Sequence, residues 1–276
     1  MISQNSSYTR EEYLKKKRKK RFERFGIVLL LIILVISLAS YVAHRSSIRI
    51  SKVQLTGQIL VEPTELATSA LLYMDGSYLW LFPKNNFLWY PKDKLALYLQ
   101  ETFKRIDTIH IEKKGLDTIV VEITERKPYA IWGDTLPGEI SGTDARFYFM
   151  DSNSTIFAEA PSFSGDAYFK YYGLVGGEKP IGQFYIGSST AFSEIARFVQ
   201  DVEDLHLDPQ YIVANGGEFS LVIAGGGRIY FDVKESLAKA IDNLEALVRT
   251  DALMKNISNL DYIDLRFGNK LYYKLK

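Results

Sequence analysis

The chain has 276 residues, 47% of them hydrophobic and 13% aromatic, with a formal net charge of +1, a composition that excludes a disordered or fibrous protein and suffices for packed cores. Cysteine is absent, which removes disulfides, thiol catalysis and thiolate metal sites together. The near balance of charge hides an asymmetry: the first residues are strongly basic, so the remainder is net acidic, and this argues against a nucleic-acid-binding role.

Residues 1–25 form a basic tail dominated by Lys15-Lys16-Lys17-Arg18-Lys19-Lys20-Arg21. The run Gly26 to Ala43 that follows carries no charge. Eighteen helical residues rise about 27 Å, against about 30 Å for a hydrocarbon core, so residues 26–43 are expected to be a single transmembrane helix. Gly26, Leu30, Leu34, Leu38, Tyr41 and Ala43 mark its length, with Tyr41 near one interface. Basic residues crowd the N-terminal flank, so the positive-inside bias puts the tail in the cytoplasm and everything after Ala43 outside it. Ser37-Leu38-Ala39 resembles a signal cleavage site, but the apolar run is longer than the roughly 7 to 15 residues of a signal core, which favours a retained anchor.

After the anchor, residues 44–126 read as a small α/β unit in the order β-α-α-β-β. A strand is expected over 48–56, where the alternation slips phase at Ser51-Lys52, and Gly57 ends it. Pro63 opens a helix with Leu66, Ala67, Ala70, Leu71 and Met74 on one face, and Gly76 stops it. The aromatic segment Tyr78-Leu79-Trp80-Leu81-Phe82 has two readings: core of the small unit, or contact at the membrane interface, where tryptophan and tyrosine favour headgroup depth. Pro91 opens a second helix carrying Leu95, Tyr98, Leu99 and Phe103. Strands over 106–113 and 118–125, joined by the turn Lys114-Gly115-Leu116-Asp117, close the unit.

Residues 127–276 read as a mixed or antiparallel β domain with two helices, making the whole fold α+β. Strands are expected at Phe147–Met150, Phe184–Ile186, Phe219–Ile223, Arg228–Phe231 and Tyr262–Phe267. One helix is expected over about 190–205; a second begins near Asp232, with Glu235 suggesting a capping box. Gly176-Gly177, Gly216-Gly217 and Gly225-Gly226-Gly227 read as turns, because no phosphate-loop lysine follows them.

A basic tail, one anchor, a β-α-α-β-β unit and a sheet domain together resemble the bacterial cell-division proteins FtsQ and DivIB. The sharpest match is Val121-Glu-Ile-Thr-Glu-Arg-Lys-Pro-Tyr-Ala-Ile-Trp132, similar to that family's strand ending in Glu-Arg-x-Pro-x-Ala. Tyr262-Ile-Asp-Leu-Arg-Phe267 resembles the family's Asp-Leu-Arg-Tyr near the C-terminus, and Phe149-Met-Asp151 with Ile156-Phe157 resembles the family's strand in which an aspartate precedes a turn and an apolar pair. The chain departs from the family at Phe103–Ile106, which lacks a proline, at Phe267, where tyrosine is common, and at Lys270-Leu271-Tyr272-Tyr273, which replaces a small-residue stretch.

The resemblance implies a POTRA-like domain, an FtsQ-type β domain, and a non-enzymatic scaffold in the cytoplasmic membrane enriched at the division septum. It implies FtsB/FtsL-like single-pass coiled-coil partners, other division membrane proteins and the lipid bilayer as contacts, with no nucleic acid, cofactor or metal. Partner binding is expected on the C-terminal strands, at Tyr262, Asp264, Arg266, Phe267, Gly268, Asn269, Leu271, Tyr272 and Tyr273, by addition of a partner strand to a sheet edge. Arg266 would pair a partner carboxylate and Phe267 would fill an apolar pocket.

Catalytic sets are sparse. His44, His110 and His206 have no metal-binding spacing, and there is no Gly-x-Ser-x-Gly elbow. The second reading is a membrane-anchored, exported cell-wall hydrolase using Asp201, Glu203 and Asp204, against which stands the commoner meaning of such a cluster, a solvated helix face. A POTRA protein of outer-membrane assembly would need repeated units and a barrel, for which the chain is too short.

Overall fold

The computed structural model describes residues 10–57, 59–138, 145–161, 167–173, 175, 179–234, 236–250, 256–268 and 270–276. Asn269, Glu235 and the Gly176-Gly177 turn lie outside them. The fold is α+β, with five α-helices among the described residues, and the chain divides into two compact units: residues up to Leu99 with Ile109–Ile123, and Gln100–Thr108 with Thr124–Lys276.

The first unit starts with α1, Arg10–Ala43, a continuous helix that takes in the basic tract as well as the apolar run. Lysine and arginine are good helix formers, so nothing in the tract ends the helix before Gly26. Within it, Tyr13–Ala43 is long and apolar enough to cross a membrane. Leu30, Leu34, Leu38 and Tyr41 are all exposed, whereas Ala43 is buried. Its carbonyl, one of those left orphaned at a helix C-terminus, accepts from the Nδ2 of the fully buried Asn86 at 3.0 Å. One turn earlier, Ser40 Oγ donates to the Leu81 carbonyl at 2.7 Å.

A three-stranded sheet follows, with β5 (Thr118–Glu125) between β1 (Lys52–Thr56) and β4 (Ile106–Lys114). β1 runs parallel to β5 with Val53 opposite Ile119 and Leu55 opposite Val121. It begins at the expected phase slip rather than at Ile48: Ser46–Ile48 is a 3₁₀ turn, and the Ile50 and Ser51 N–H groups donate to Asn85 and Asp117 carbonyls outside the ladder. Helices α2 (Pro63–Tyr73) and α3 (Lys92–Thr102) bury Leu66, Ala70, Leu95 and Leu99 with Met74, Ile111, Ile119, Val121 and Ile123. Between them lies a small hairpin, β2 (Ser77–Tyr78) and β3 (Phe82–Pro83), which periodicity does not reveal because each strand has two residues.

The second unit is built on a nine-stranded mixed sheet. Its strands are β6 (Ala130–Gly133), β7 (Phe147–Met150), β8 (Ile156–Ala160), β9 (Lys170–Gly173), β10 (Pro209–Asn215), β11 (Glu218–Ile223), β12 (Arg228–Asp232), β13 (Leu260–Phe267) and β14 (Lys270–Leu275), in the order β14-β13-β12-β11-β10-β9-β6-β7-β8. Helix α4 (Ser189–Asp204) links the parallel neighbours β9 and β10, and α5 (Leu237–Val248) links the parallel neighbours β12 and β13. Both crossovers step the same way across the sheet between strands of the same direction, so a common right-handed connection puts both helices on one face. Phe192, Ile195, Phe198, Val202 and Leu244 pack there on Phe219, Leu221, Ile229, Phe231 and Ile263.

Several expectations need correction. Asp232 ends a strand instead of starting a helix; its Oδ1 accepts from Lys234 N–H at 3.0 Å, and Ser236 is the N-cap of α5. Phe184–Ile186 forms no strand, since its backbone makes an isolated bridge at Thr155–Phe184, a Tyr185 N–H bond to the Ser154 carbonyl and a bond from Ser154 Oγ to the Ile186 carbonyl, with no ladder. The Gly225 and Gly216 turns are hairpin connections, with Ile223 N–H on the Gly227 carbonyl in the first and Asn215 opposite Glu218 in the second.

Candidate partner-binding edge

The two C-terminal strands differ in what they offer. β13 is internal, parallel to β12 on one side and antiparallel to β14 on the other. Its backbone is committed, and Tyr262–Phe267 is not itself an edge. Among the described residues β14 is the terminal strand of the sheet and has no strand partner on its outer side, the geometry that accepts an added strand. The opposite end is partly blunted, because Ile156 N–H donates to the Gln183 carbonyl and Gly182 N–H to the Ile156 carbonyl.

Alternation sorts the side chains of β13 and β14 by face. Ile263 and Leu265 are buried on the helix-covered face, and Leu271 and Leu275 pack against the same core. Asp264 stands opposite Tyr272, and Tyr262 opposite Lys274, on the face that carries no helix. Lys274 Nζ reaches Asp261 Oδ2 at 2.8 Å, and the Tyr262 ring lies 6.0 Å from that of Tyr230.

Arg266 departs from expectation. Its Nε and Nη2 take both oxygens of Asp264, at 2.9 and 2.6 Å, while Nη1 reaches Glu218 Oε2 at 2.6 Å. Its guanidinium also sits 5.3 Å over the Tyr230 ring. A bidentate fork on a carboxylate is among the stronger polar contacts, so Arg266 is spent inside the unit and is not free to pair a partner carboxylate. Burial pushes the Asp264 carboxyl up, but the side-chain and backbone hydrogen bonds from Arg266 outweigh it and hold the group below its ordinary value. The Asp264 hydrogen bond raises Arg266 in turn.

What remains accessible is aromatic. Phe267, Tyr272 and Tyr273 are 56%, 50% and 44% exposed, and the Phe267 ring meets Tyr272 edge-on at 5.3 Å. Gly268 turns the chain at φ +63°, and its carbonyl accepts from Asn243 Nδ2 on α5 at 3.1 Å. The structure therefore brings Phe267 and Tyr272 together beside an open strand, while Tyr273, opposite Ile263, lies on the other face of that strand. It assigns Asp264 and Arg266 to internal bracing, and Leu271 to the core.

The carboxylates of the hydrolase reading lie at the end of α4. Asp201 is 4.0 Å from Arg197, and Asp204 Oδ1 accepts from Gln200 Nε2 at 3.2 Å. Asp201 and Asp204 each have a partner one helical turn away and Glu203 is exposed, the pattern of a solvated helix face. No group of three His, Asp or Glu among the described residues is placed to hold a metal. His44 Nδ1 lies 2.8 Å from the Ser40 carbonyl, and His110 pairs with Glu112 at 3.1 Å.

Neither the family models nor the curated proteins compared with this chain match it.

Proposed function

We propose that this chain is a single-pass scaffold of the bacterial division machinery, of the FtsQ/DivIB type. Residues 1–25 stay in the cytoplasm, α1 anchors the chain in the inner membrane, and the two units stand outside it. The first is POTRA-like and contributes to septal recruitment, and the second is an FtsQ-type β domain that links septal assembly to wall synthesis. It holds FtsB/FtsL-like single-pass coiled-coil proteins by strand addition.

The observation that carries this reading is the unpaired edge of β14 with exposed Phe267, Tyr272 and Tyr273 beside it. Main-chain bonds along such an edge supply affinity, and alternate side chains supply specificity. The order of the first unit's main elements and the placement of α1 support the same assignment.

The test is affinity capture of the full chain from detergent-solubilised membranes, followed by Phe267→Ala and Tyr272→Ala. Each aromatic anchor is expected to contribute about 2 kcal/mol, roughly a thirtyfold loss of affinity. Capture of small single-pass coiled-coil proteins that weakens in both variants supports the reading. Undiminished capture by both variants, each folded, would overturn the assignment of this edge.

A further inference from the structure

We propose that the tip of the β2–β3 hairpin, Leu79 and Trp80, is a second membrane contact, inserted into the leaflet that surrounds the C-terminal end of α1. This rests on α1 spanning the bilayer.

The tip is made of the wrong residues for a turn in water. Leu79 and Trp80 have φ +48° and +61°, and the Leu81 N–H donates to the Tyr78 carbonyl at 3.0 Å. That is the pattern of a type I′ turn, whose central pair is normally Asn-Gly or another combination tolerant of positive φ. Bulky side chains there are strained, and strain of this kind persists where function retains it. Neither residue repays the strain by packing, since Leu79 is 87% exposed and Trp80 95% exposed. Core packing, the first of the two readings of this aromatic segment, does not describe the tip.

Its depth is set by α1. Ser40, whose hydroxyl binds the Leu81 carbonyl at 2.7 Å, lies three residues before Ala43, about 4.5 Å back along the helix. It is therefore inside the apolar run that fills the hydrocarbon, and the carbonyl bonded to it shares that level. Asn86 on Ala43 makes a second tie between the same helix end and the same unit. These two bonds hold the hairpin beside the anchor and not out in solvent.

The chemistry suits the position. Backbone groups entering lipid need partners. Leu81 has both of its own satisfied, one by Tyr78 and one by Ser40. From Tyr78 to Pro83 there is no charged residue. Tryptophan and tyrosine are the side chains that favour the membrane–water boundary, and Tyr78, Phe82 and Trp89 line an apolar cleft at the base of the hairpin. Lipid is the occupant because Ser40, itself within the apolar run of α1, holds the hairpin beside that run through the Leu81 carbonyl.

The chain lacks cysteine, so a single introduced thiol can be spin-labelled. Leu79→Cys, which leaves Trp80 in place, and separately Trp80→Cys, would be labelled in the full chain in anionic nanodiscs. Leu34→Cys serves as the lipid reference and Lys20→Cys as the aqueous one. Power saturation compares collision with oxygen, which concentrates in lipid, and with a water-soluble nickel chelate. Labels at 79 and 80 are expected to favour oxygen, as at 34, with the opposite preference at 20. Nickel-favoured collision at 79 and 80, or low accessibility to both reagents, with position 34 still oxygen-favoured, would overturn the proposal. A label at 34 that favoured nickel would overturn the spanning helix and the proposal with it.

Discussion

Arg126 and Asp151 form an ion pair with both side chains mostly buried, joining segments 25 residues apart. Arg126 Nη1 also lies 3.2 Å from Asp107 Oδ1, and its Nε donates to the Lys104 carbonyl at 3.2 Å. Asp151 uses its other oxygen to close its own turn, accepting from the Asn153 and Thr155 N–H groups at 2.9 and 2.8 Å. Two of the segments that carry the family resemblance thus meet in one polar cluster of the second unit.

Removing one partner of a buried pair leaves the other charge without compensation. Arg126→Met is expected to destabilise the second unit by about 2–3 kcal/mol, because Asp151 keeps only its two backbone donors. Arg126→Lys should recover part of this, since an ammonium lacks the fork that reaches several acceptors. Urea unfolding of the detergent-solubilised chain measures both; a midpoint for Arg126→Met equal to that of the parent would refute the assignment.

The Asp264–Arg266 brace predicts a pH dependence. The Asp264 carboxyl titrates below its ordinary value in the folded chain. Its contribution to stability is therefore complete above the ordinary carboxylate range and is lost as pH falls through the lowered folded value. Asp264→Asn should reduce stability at neutral pH and flatten the acid limb below about pH 4. Denaturation midpoints recorded against pH would contradict this if the two acid limbs ran parallel.

Deleting the chain after Gly268 is expected to harm the fold as well as binding. β14 covers β13, and Leu271 and Leu275 pack on a core that includes fully buried Ile263. Losing two half-buried leucines and one side of a ladder should cost about 2–4 kcal/mol. Truncation therefore confuses lost partner contacts with lost sheet, and the aromatic point variants are the cleaner probes. Thermal unfolding of the truncated chain checks the claim, and an unchanged transition would count against it.

Gly57 leaves β1 at φ +82°, where an added Cβ would lie 2.2 Å from the Ile123 carbonyl oxygen. Gly57→Ala should destabilise the first unit by about 2 kcal/mol or more, because both backbone conformation and neighbouring strand oppose it. Hydrogen exchange at Val53 and Leu55 would report the loosening, and protection as strong as in the parent would contradict it.

Periodicity made much of this fold legible. The α2, α3, α4 and β5 patterns were readable because each buries one face, and the apolar run of α1 needed no partner to be recognised. β6, β8 and β9 escape periodicity because neighbouring residues are buried on both faces, as all of Ala130–Gly133 and both Tyr171 and Tyr172 are, and β10 opens with Pro209, a residue that argues against a strand. The candidate edge was only half legible. Its location at the C-terminal strands was readable, but which strand lies outside depends on sheet order, and the capture of Arg266 by Glu218 joins residues 48 apart. The I′ geometry at Leu79-Trp80 was invisible, because no residue there favours positive φ.

Asn86 and Ser40 give the anchor one more property. With the Ala43 carbonyl and the Ser40 hydroxyl both bound to the first unit, the helix joins it through an elbow and not a swivel. With α1 spanning the bilayer, as proposed, a sideways pull on that unit would act as a torque on α1, and the bilayer, which resists tilt through mismatch at the helix ends, would supply the restoring spring. The angle of α1 to the membrane normal would then be a gauge of the load, readable by infrared dichroism in oriented bilayers.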